Sequence, residues 1–497
     1  MSTDDLEPTG PLTRRQFLRL TGLAGVAGVL SACSRSPSAN TADSNASGGP
    51  FSQPDRVMSS NGRLEITLRA EANQVPWGSS QRYAYTYNGT SPGPTLQVRP
   101  GDQLVVHLNN GLDVDTNLHT HGLHVSPMGD GDNVFVPVPP GGSRTYRYDI
   151  PSDHRSGLFW YHPHAHGHVA KQVAAGLAGS IIIVDGIDEI PALLGSTERI
   201  WVLSDPVIGE DDGILAVSAM DQMFGREGDT ITVNGIAQPE IVAEAGTVER
   251  WRFVNASPSR YYRLSLDSHQ LHVIGTDGGR LPAPVAVDEL LLSPGERSEV
   301  LVIPGARGTH RLRTLRYDRG GMGMGGMMGG DSVVDPEALV ALVTVNGDRP
   351  PPPLPESVVD PRSVSLPSPS GSRVIELGMG MGGGMMGGQG GMMSFTIDGQ
   401  TFDPDRTDIT AGLGTVEEWE IRNTSPMDHP FHLHVWPFLL LDAPPSQRGW
   451  KDTVNVPAGS SVRIVVPFFE IPGRSVYHCH ILDHEDLGMM GVIDVAA

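Results

Sequence analysis

The run His478-Cys479-His480-Ile481-Leu482-Asp483-His484-Glu485-Asp486-Leu487-Gly488-Met489 puts a thiolate, imidazoles and a thioether within a dozen residues. These are the ligand types of a blue-copper electron-transfer site. Successive side chains of a strand point to opposite faces. Cys479 would then face one metal while His478 and His480 face another, so one piece of backbone would join two sites. Three upstream motifs supply more imidazoles: His119-Thr120-His121-Gly122, Trp160-Tyr161-His162-Pro163-His164 and His429-Pro430-Phe431-His432-Leu433-His434. The first two motifs hold two histidines each and the last two hold three each, so ten of the eighteen histidines lie in them. A single HxH pair is a weak signal; four such motifs in this order are a specific one.

The pattern resembles three-domain multicopper oxidases of the bacterial laccase and copper-tolerance type, over nearly the whole mature chain. The resemblance implies four copper ions. A type 1 copper would be held by His429, Cys479 and His484 with Met489 as weak axial ligand, and a type 2 copper by His119 and His432. A type 3 pair would use His121, His162, His164, His434, His478 and His480. It also implies proton relay by Glu485 and by an acid near the type 2 site, for which Asp130 and Asp132 are both candidates. His124, His166 and His168 have no ligand role in that pattern.

The elements that must position these ligands are legible as a repeat. A glycine turn, an alternating strand and an asparagine occur at Gly101–Asn109, Gly246–Asn255 and Gly414–Asn423. Roughly forty to fifty residues after each come Pro140-Gly141-Gly142, Pro294-Gly295 and Pro457-Ala458-Gly459, each opening a further alternating strand. Three copies of this grammar, with abundant Gly and Pro and little helical periodicity, predict an all-β chain of three β-sandwiches. The resemblance makes them consecutive cupredoxin-like Greek-key domains, at 55–190, 191–348 and 371–497, with a Pro-rich linker at 349–370. The middle copy carries none of the motifs; its histidines are His269, His272 and His310, read as structural or surface. The type 2 and type 3 ligands divide evenly between the outer copies, which places that cluster at their interface.

Residues 1–33 read as an export signal. Thr13-Arg14-Arg15-Gln16-Phe17-Leu18 resembles a twin-arginine motif, and the apolar run Leu20–Leu30 is too short to span a bilayer comfortably. Leu30-Ser31-Ala32-Cys33 resembles a lipobox, which implies a lipid anchor on Cys33; ordinary cleavage nearby is the competing reading. Residues 34–54, rich in Ser, Ala, Asn and Gly, read as a flexible tether. The expectation is an exported protein on the periplasmic or outer face of the membrane, a monomer served by the twin-arginine machinery. The chain has two cysteines, Cys33 and Cys479, which leaves no intramolecular disulfide once both have these roles. A net charge of −22 disfavours nucleic acid and anionic lipid surfaces as partners and suits metal cations.

More than half of the eighteen methionines fall in two Gly-rich tracts, at Met322, Met324, Met327 and Met328 and at Met379, Met381, Met385 and Met386, running on to Met393. Gly-rich runs do not build cores, and soft sulfur selects Cu(I). The tracts, with Met427 and Asp428, are candidates for recruiting cuprous ion; a functionless insertion or an oxidant scavenger is the alternative. The expected reaction takes single electrons from a reductant at the type 1 copper and reduces O2 to water. Cu(I) is the preferred reductant, with Fe(II), phenols or aromatic amines as others. A copper-storage lipoprotein is the non-enzymatic alternative.

Overall fold

In each of three successive segments, the repeat strand lies between a parallel strand that precedes it and an antiparallel strand that follows. Gln103–Asn110 pairs parallel with Arg63–Trp77 and antiparallel with Ser143–Asp149. Glu249–Asn255 does the same with Thr197–Ser204 and Arg297–Val302, and Thr415–Asn423 with Gly371–Met381 and Ser461–Phe468. The structure is a computed structural model describing residues 48–77, 80–184, 196–209, 216–321, 334–358, 366–381, 393–444 and 447–497. Its described strands assemble into three pairs of facing sheets, cupredoxin-like β-sandwiches, with one further two-stranded sheet of Tyr317–Asp318 and Val334–Asp335. Each has its own apolar core, built around Leu104 and Tyr146 in the first, Trp251 and Val300 in the second, and Trp419 and Phe431 in the third.

The asparagine closing each repeat strand has a physical role. In the first copy this residue is Asn110, one position beyond the Asn109 that the repeat indicates. Asn110, Asn255 and Asn423 are buried, and each Nδ2 donates to two carbonyls: Val114 and Val138, Arg260 and Leu292, Met427 and Val456. Each Oδ1 accepts the N–H two residues on, from Leu112, Ser257 and Ser425. The amide thus turns the chain and satisfies buried carbonyls at once. In the outer sandwiches this turn leads directly into the strands His119–His121 and His429–Leu433.

Apolar contacts join the sandwiches into one body over Ser47–Ala497. Leu158, Trp160 and Ile182 of the first meet Ile200, Val202 and Val254 of the second. Val134 of the first meets Val476 and Val492 of the third, and the short helix Val169–Ala174 packs on Leu482 of the helix Leu482–Asp486. The expected tether is shorter than its composition indicates. Gly48 and Phe51 donate to Gln238 and Glu240, and the Phe51 ring packs 5.1 Å from Trp201, because an aromatic ring beside a sheet edge has apolar area to bury. Cys33, the signal and the methionines at 322–328 and 385–393 lie outside the described residues, except for the backbone of Met393.

Replacing Asn423 by Leu removes the amide donor to the Val456 carbonyl and the acceptor of Ser425 N, while the Met427 carbonyl keeps only Ser425 Oγ, at about 1–3 kcal/mol for each group left unsatisfied. Equilibrium unfolding of Asn423→Leu is expected to show a loss of at least that size, and an unchanged midpoint would contradict the role given to the repeat asparagine.

Candidate metal centre

The alternation of the terminal strand is realised. Gly473–Cys479 pairs with His429–Leu433 in the register Phe431↔Cys479 and His432↔His478. On one face, Cys479 Sγ lies 3.4 Å from His429 Nδ1 and 3.9 Å from His484 Nδ1, and those two nitrogens are 3.3 Å apart. Met489, fully buried, is tied to the same residue by the bond from Cys479 N to Met489 O. On the other face, His478 and His480 join six further imidazoles between the first and third sandwiches. The strand His119–His121 pairs with Gly157–His162 to bring His119 opposite His162. Tyr161 and Tyr477, each one residue before a histidine pair, lie across from Gly179 and Gly491. A Cβ on either glycine would stand 2.2 or 2.5 Å from the facing ring, so these glycines give the rings the room to lie flat and hold the histidine strands in place.

Hydrogen bonds fix which ring nitrogen carries the proton, since a neutral imidazole has one donor and one acceptor. His119 Nδ1 donates to Asp132 Oδ2 (2.8 Å), His162 Nδ1 to Pro163 O (2.8 Å), His432 Nδ1 to Asp452 O (2.8 Å) and His478 Nδ1 to Cys479 O (2.9 Å). In His121 the roles reverse, with Nε2 donating to Asp452 Oδ1 at 2.9 Å. The remaining nitrogens, Nε2 of His119, His162 and His432 and Nδ1 of His121, are buried and have no partner. Nε2 of His478 meets Nε2 of His164 at 3.2 Å and of His434 at 3.1 Å. Lone pairs converging in a dry cavity need a cation, and imidazole nitrogen is a ligand for Cu, Zn, Fe and Ni. The donor sets His164/His434/His478, His119/His121/His162, His119/His432/His434 and His429/Cys479/His484 each fall within 4.8 Å. A thiolate with two imidazoles and a nearby thioether is specifically a copper set, so the residues fit the metal that the sequence implies.

Burial is the largest influence on the charge of these groups. It holds His119, His121, His164, His434, His478, His480 and His484 well below the usual imidazole range, reinforced by neighbouring imidazoles, and brings His162 and His429 to about 3. It pushes the Cys479 thiol up, so a metal must displace that proton. Glu485 is also raised well above the carboxylate range by burial and by Asp486. Its oxygens lie 3.1 Å from His478 Nδ1 and 3.4 Å from His164 Nε2.

The structure separates the two candidate aspartates. Asp132 is buried and accepts from His119 and from Thr120 N and Oγ1, whereas Asp130 is exposed on the loop and touches no cluster residue. Met427 belongs to the core of the third sandwich. The Asp428 oxygens are taken by Tyr317, Asn455 and Ala458 N, so neither residue is offered to a mobile ion. His429 and His484 are both fully buried. His484 Nε2 donates to Met223 O of the helix Ala219–Phe224, and Phe395 stacks on its ring at 4.1 Å. His124 donates to Val435 O outside the cluster. His166 and His168 line a cavity of about 250 Å³ whose wall also includes the buried residues His164, Asn117 and Met490. Asp452 was not visible to sequence reasoning, because it sits in no motif and matters only through the fold.

Three multicopper oxidase family models match the chain, one each at residues 70–187, 212–314 and 383–497. The chain is 32% identical over 448 residues to a multicopper oxidase of Staphylococcus haemolyticus, covering 88% of this chain and 89% of that one. It is 28% identical to a laccase of Bacillus subtilis, covering 87% and 94%. A solved multicopper oxidase from Campylobacter jejuni, described as a metallo-oxidase, superposes with a TM-score of 0.75 at 31% identity, covering 90% and 96%.

The buried neutral histidines regain an ordinary pKa of about 6.5 on unfolding. Below that pH the unfolded chain binds protons that the folded chain refuses, so stability falls as pH drops. The thermal midpoint of the metal-stripped protein is expected to decline between about pH 7 and pH 5; a flat profile would show that the cluster is not held neutral.

Proposed function

The chain belongs to the multicopper oxidase family, and on that premise we propose that it takes single electrons from cuprous ion beside Cys479 and reduces O2 to water at the histidine cluster. One observation carries this reading: Cys479 faces His429 and His484, while the residues on either side of it face the other eight-histidine cluster. In this reading His429, Cys479, His484 and Met489 hold the type 1 copper, and His119 and His432 the type 2. His121, His162, His164, His434, His478 and His480 hold the type 3 pair. Bound copper supplies one-electron storage, which lets electrons gathered singly be delivered together to dioxygen.

The chain's own residues do the rest. The backbone on either side of Cys479 is the covalent connection between the clusters. Asp132 orients His119, and Glu485, held protonated by burial beside His164 and His478, stores a proton for the oxygen side. The cavity over His164 gives dioxygen and water a way in.

The covered type 1 side favours a small reductant. His484 lies under the Met223 carbonyl and Phe395, which leaves little room for a bulky aromatic. Both methionine tracts spring from this place. Gly320 bridges to Met427 and Gly321 donates to Pro426 O, next to His429. The hairpin of Gly371–Met381 and Met393–Ile397 carries Phe395 onto His484. Met220 adds an exposed thioether on the capping helix. Oxidation of phenols is the second reading, favoured by the similarity to a laccase. We further propose that the twin-arginine motif exports the protein and that lipid on Cys33 anchors it outside the membrane.

Deleting residues 322–328 and 385–393 together is expected to lower oxygen uptake with Cu(I) while leaving phenol turnover unchanged or faster. Equal losses with both reductants, or no loss, would contradict the assignment of cuprous ion. Glu485→Gln is expected to keep the copper and its visible absorption while slowing turnover by about 10²-fold or more; wild-type rates would remove Glu485 from the proton path.

A further inference from the structure

The middle sandwich supplies no ligand, yet its turn Pro294–Arg297 forms part of the wall of the histidine cluster. Gly295 adopts φ +83°, and a Cβ there would lie 2.7 Å from His480 Cδ2 and 2.8 Å from its Nε2. No side chain fits between this backbone and the imidazole. Two residues on, Arg297 is fully buried and grips Asp452 with both ends of its guanidinium, Nη1 to Oδ1 at 2.6 Å and Nη2 to Oδ2 at 2.5 Å. The same side chain donates to Leu158 O of the first sandwich and to Asp277 O of its own. One arginine therefore contacts all three sandwiches.

What Arg297 grips is the residue that orients two cluster histidines. Asp452 Oδ1 accepts from His121 Nε2, and the Asp452 carbonyl accepts from His432 Nδ1. These histidines come from different sandwiches and stack at 3.8 Å. Gly122, directly after His121, has φ +89°, and a Cβ there would meet Arg297 Nη2 and Asp452 Oδ2 at 2.4 and 2.5 Å. The glycine of the first histidine motif thus leaves space for an ion pair whose cation belongs to another sandwich. Lys451 does not duplicate Arg297, because its Nζ is engaged by Asp277 and Glu296.

We propose that the Pro294–Arg297 turn is a positioning element for the trinuclear copper site. Arg297 fixes Asp452 so that His121 and His432 keep their lone pairs directed inward, and Gly295 backs His480. The inference rests on the reading of the histidine cluster as a copper site. A planar, bidentate guanidinium does this better than the point charge of lysine.

The test uses the copper-loaded full chain with Arg297→Gln, Arg297→Lys and Gly295→Ala, and Arg263→Gln as a control at an exposed ion pair of the same sandwich. Copper content and the type 2 electron paramagnetic resonance signal report on the cluster; the thiolate-to-copper absorption reports on Cys479. Arg297→Gln is expected to weaken copper retention at the cluster by about 10- to 100-fold and to alter the type 2 signal, with the thiolate band intact. Arg297→Lys should fall between it and wild type. Full copper and an unchanged signal in both Arg297→Gln and Gly295→Ala would overturn the proposal. So would loss of the thiolate band in step with the cluster, which would show support of the fold in general. Wild-type protein holding copper at Cys479 alone would instead refute the copper reading of the cluster, a result seen before any variant is made.

Discussion

Everything in this molecule accommodates one costly arrangement: imidazoles that are buried, neutral and aimed at one another with unshared lone pairs. Such a cavity is unfavourable without a cation. The surrounding structure holds it open by engaging the opposite nitrogen of five of the eight rings, those of His119, His121, His162, His432 and His478. Asp132, Asp452, Pro163 O and Cys479 O take the protons, so that the free nitrogens have no alternative but to face inward. The energy that metal binding releases is then partly the relief of this arrangement, which is why folding and metal occupancy are coupled.

The repeat explains how a β chain builds such a place. Each sandwich uses the same strand, the same buried asparagine and the same trailing strand. In the outer two copies the asparagine turn delivers a histidine strand to the common interface. The middle copy ends its turn at Ser257 without a histidine, but its later turn, at Pro294–Arg297, reaches the same interface from below. The outer copies thus carry the histidines, and the central one carries the turn that packs against them.

Much of this was legible in the residues. The HCH run dictated a two-faced strand because side-chain alternation in an extended chain is a local property, and the strand pairing preserves it. The three Gly-to-Asn repeats located the central strand of each sandwich for the same reason. What sequence could not give depends on contacts between distant segments. Asp130 and Asp132 differ by two positions, and only the fold buries one of them. Nothing in the residues around His484 shows that the helix Ala219–Phe224 lies against its ring. Met427 and Asp428 read as accessible beside a histidine, yet one packs in the core and the other is saturated by Tyr317, Asn455 and Ala458. Arg297 and Asp452 lie 155 positions apart and carry no motif.

Anomalous diffraction at the copper absorption edge, from crystals of the metal-loaded protein, tests the central claim most directly. The account predicts one peak among His429, Cys479 and His484 and a separate group of three enclosed by the eight histidines of the interface. Density at the thiolate alone, with the eight imidazoles hydrogen-bonded to water, would contradict it.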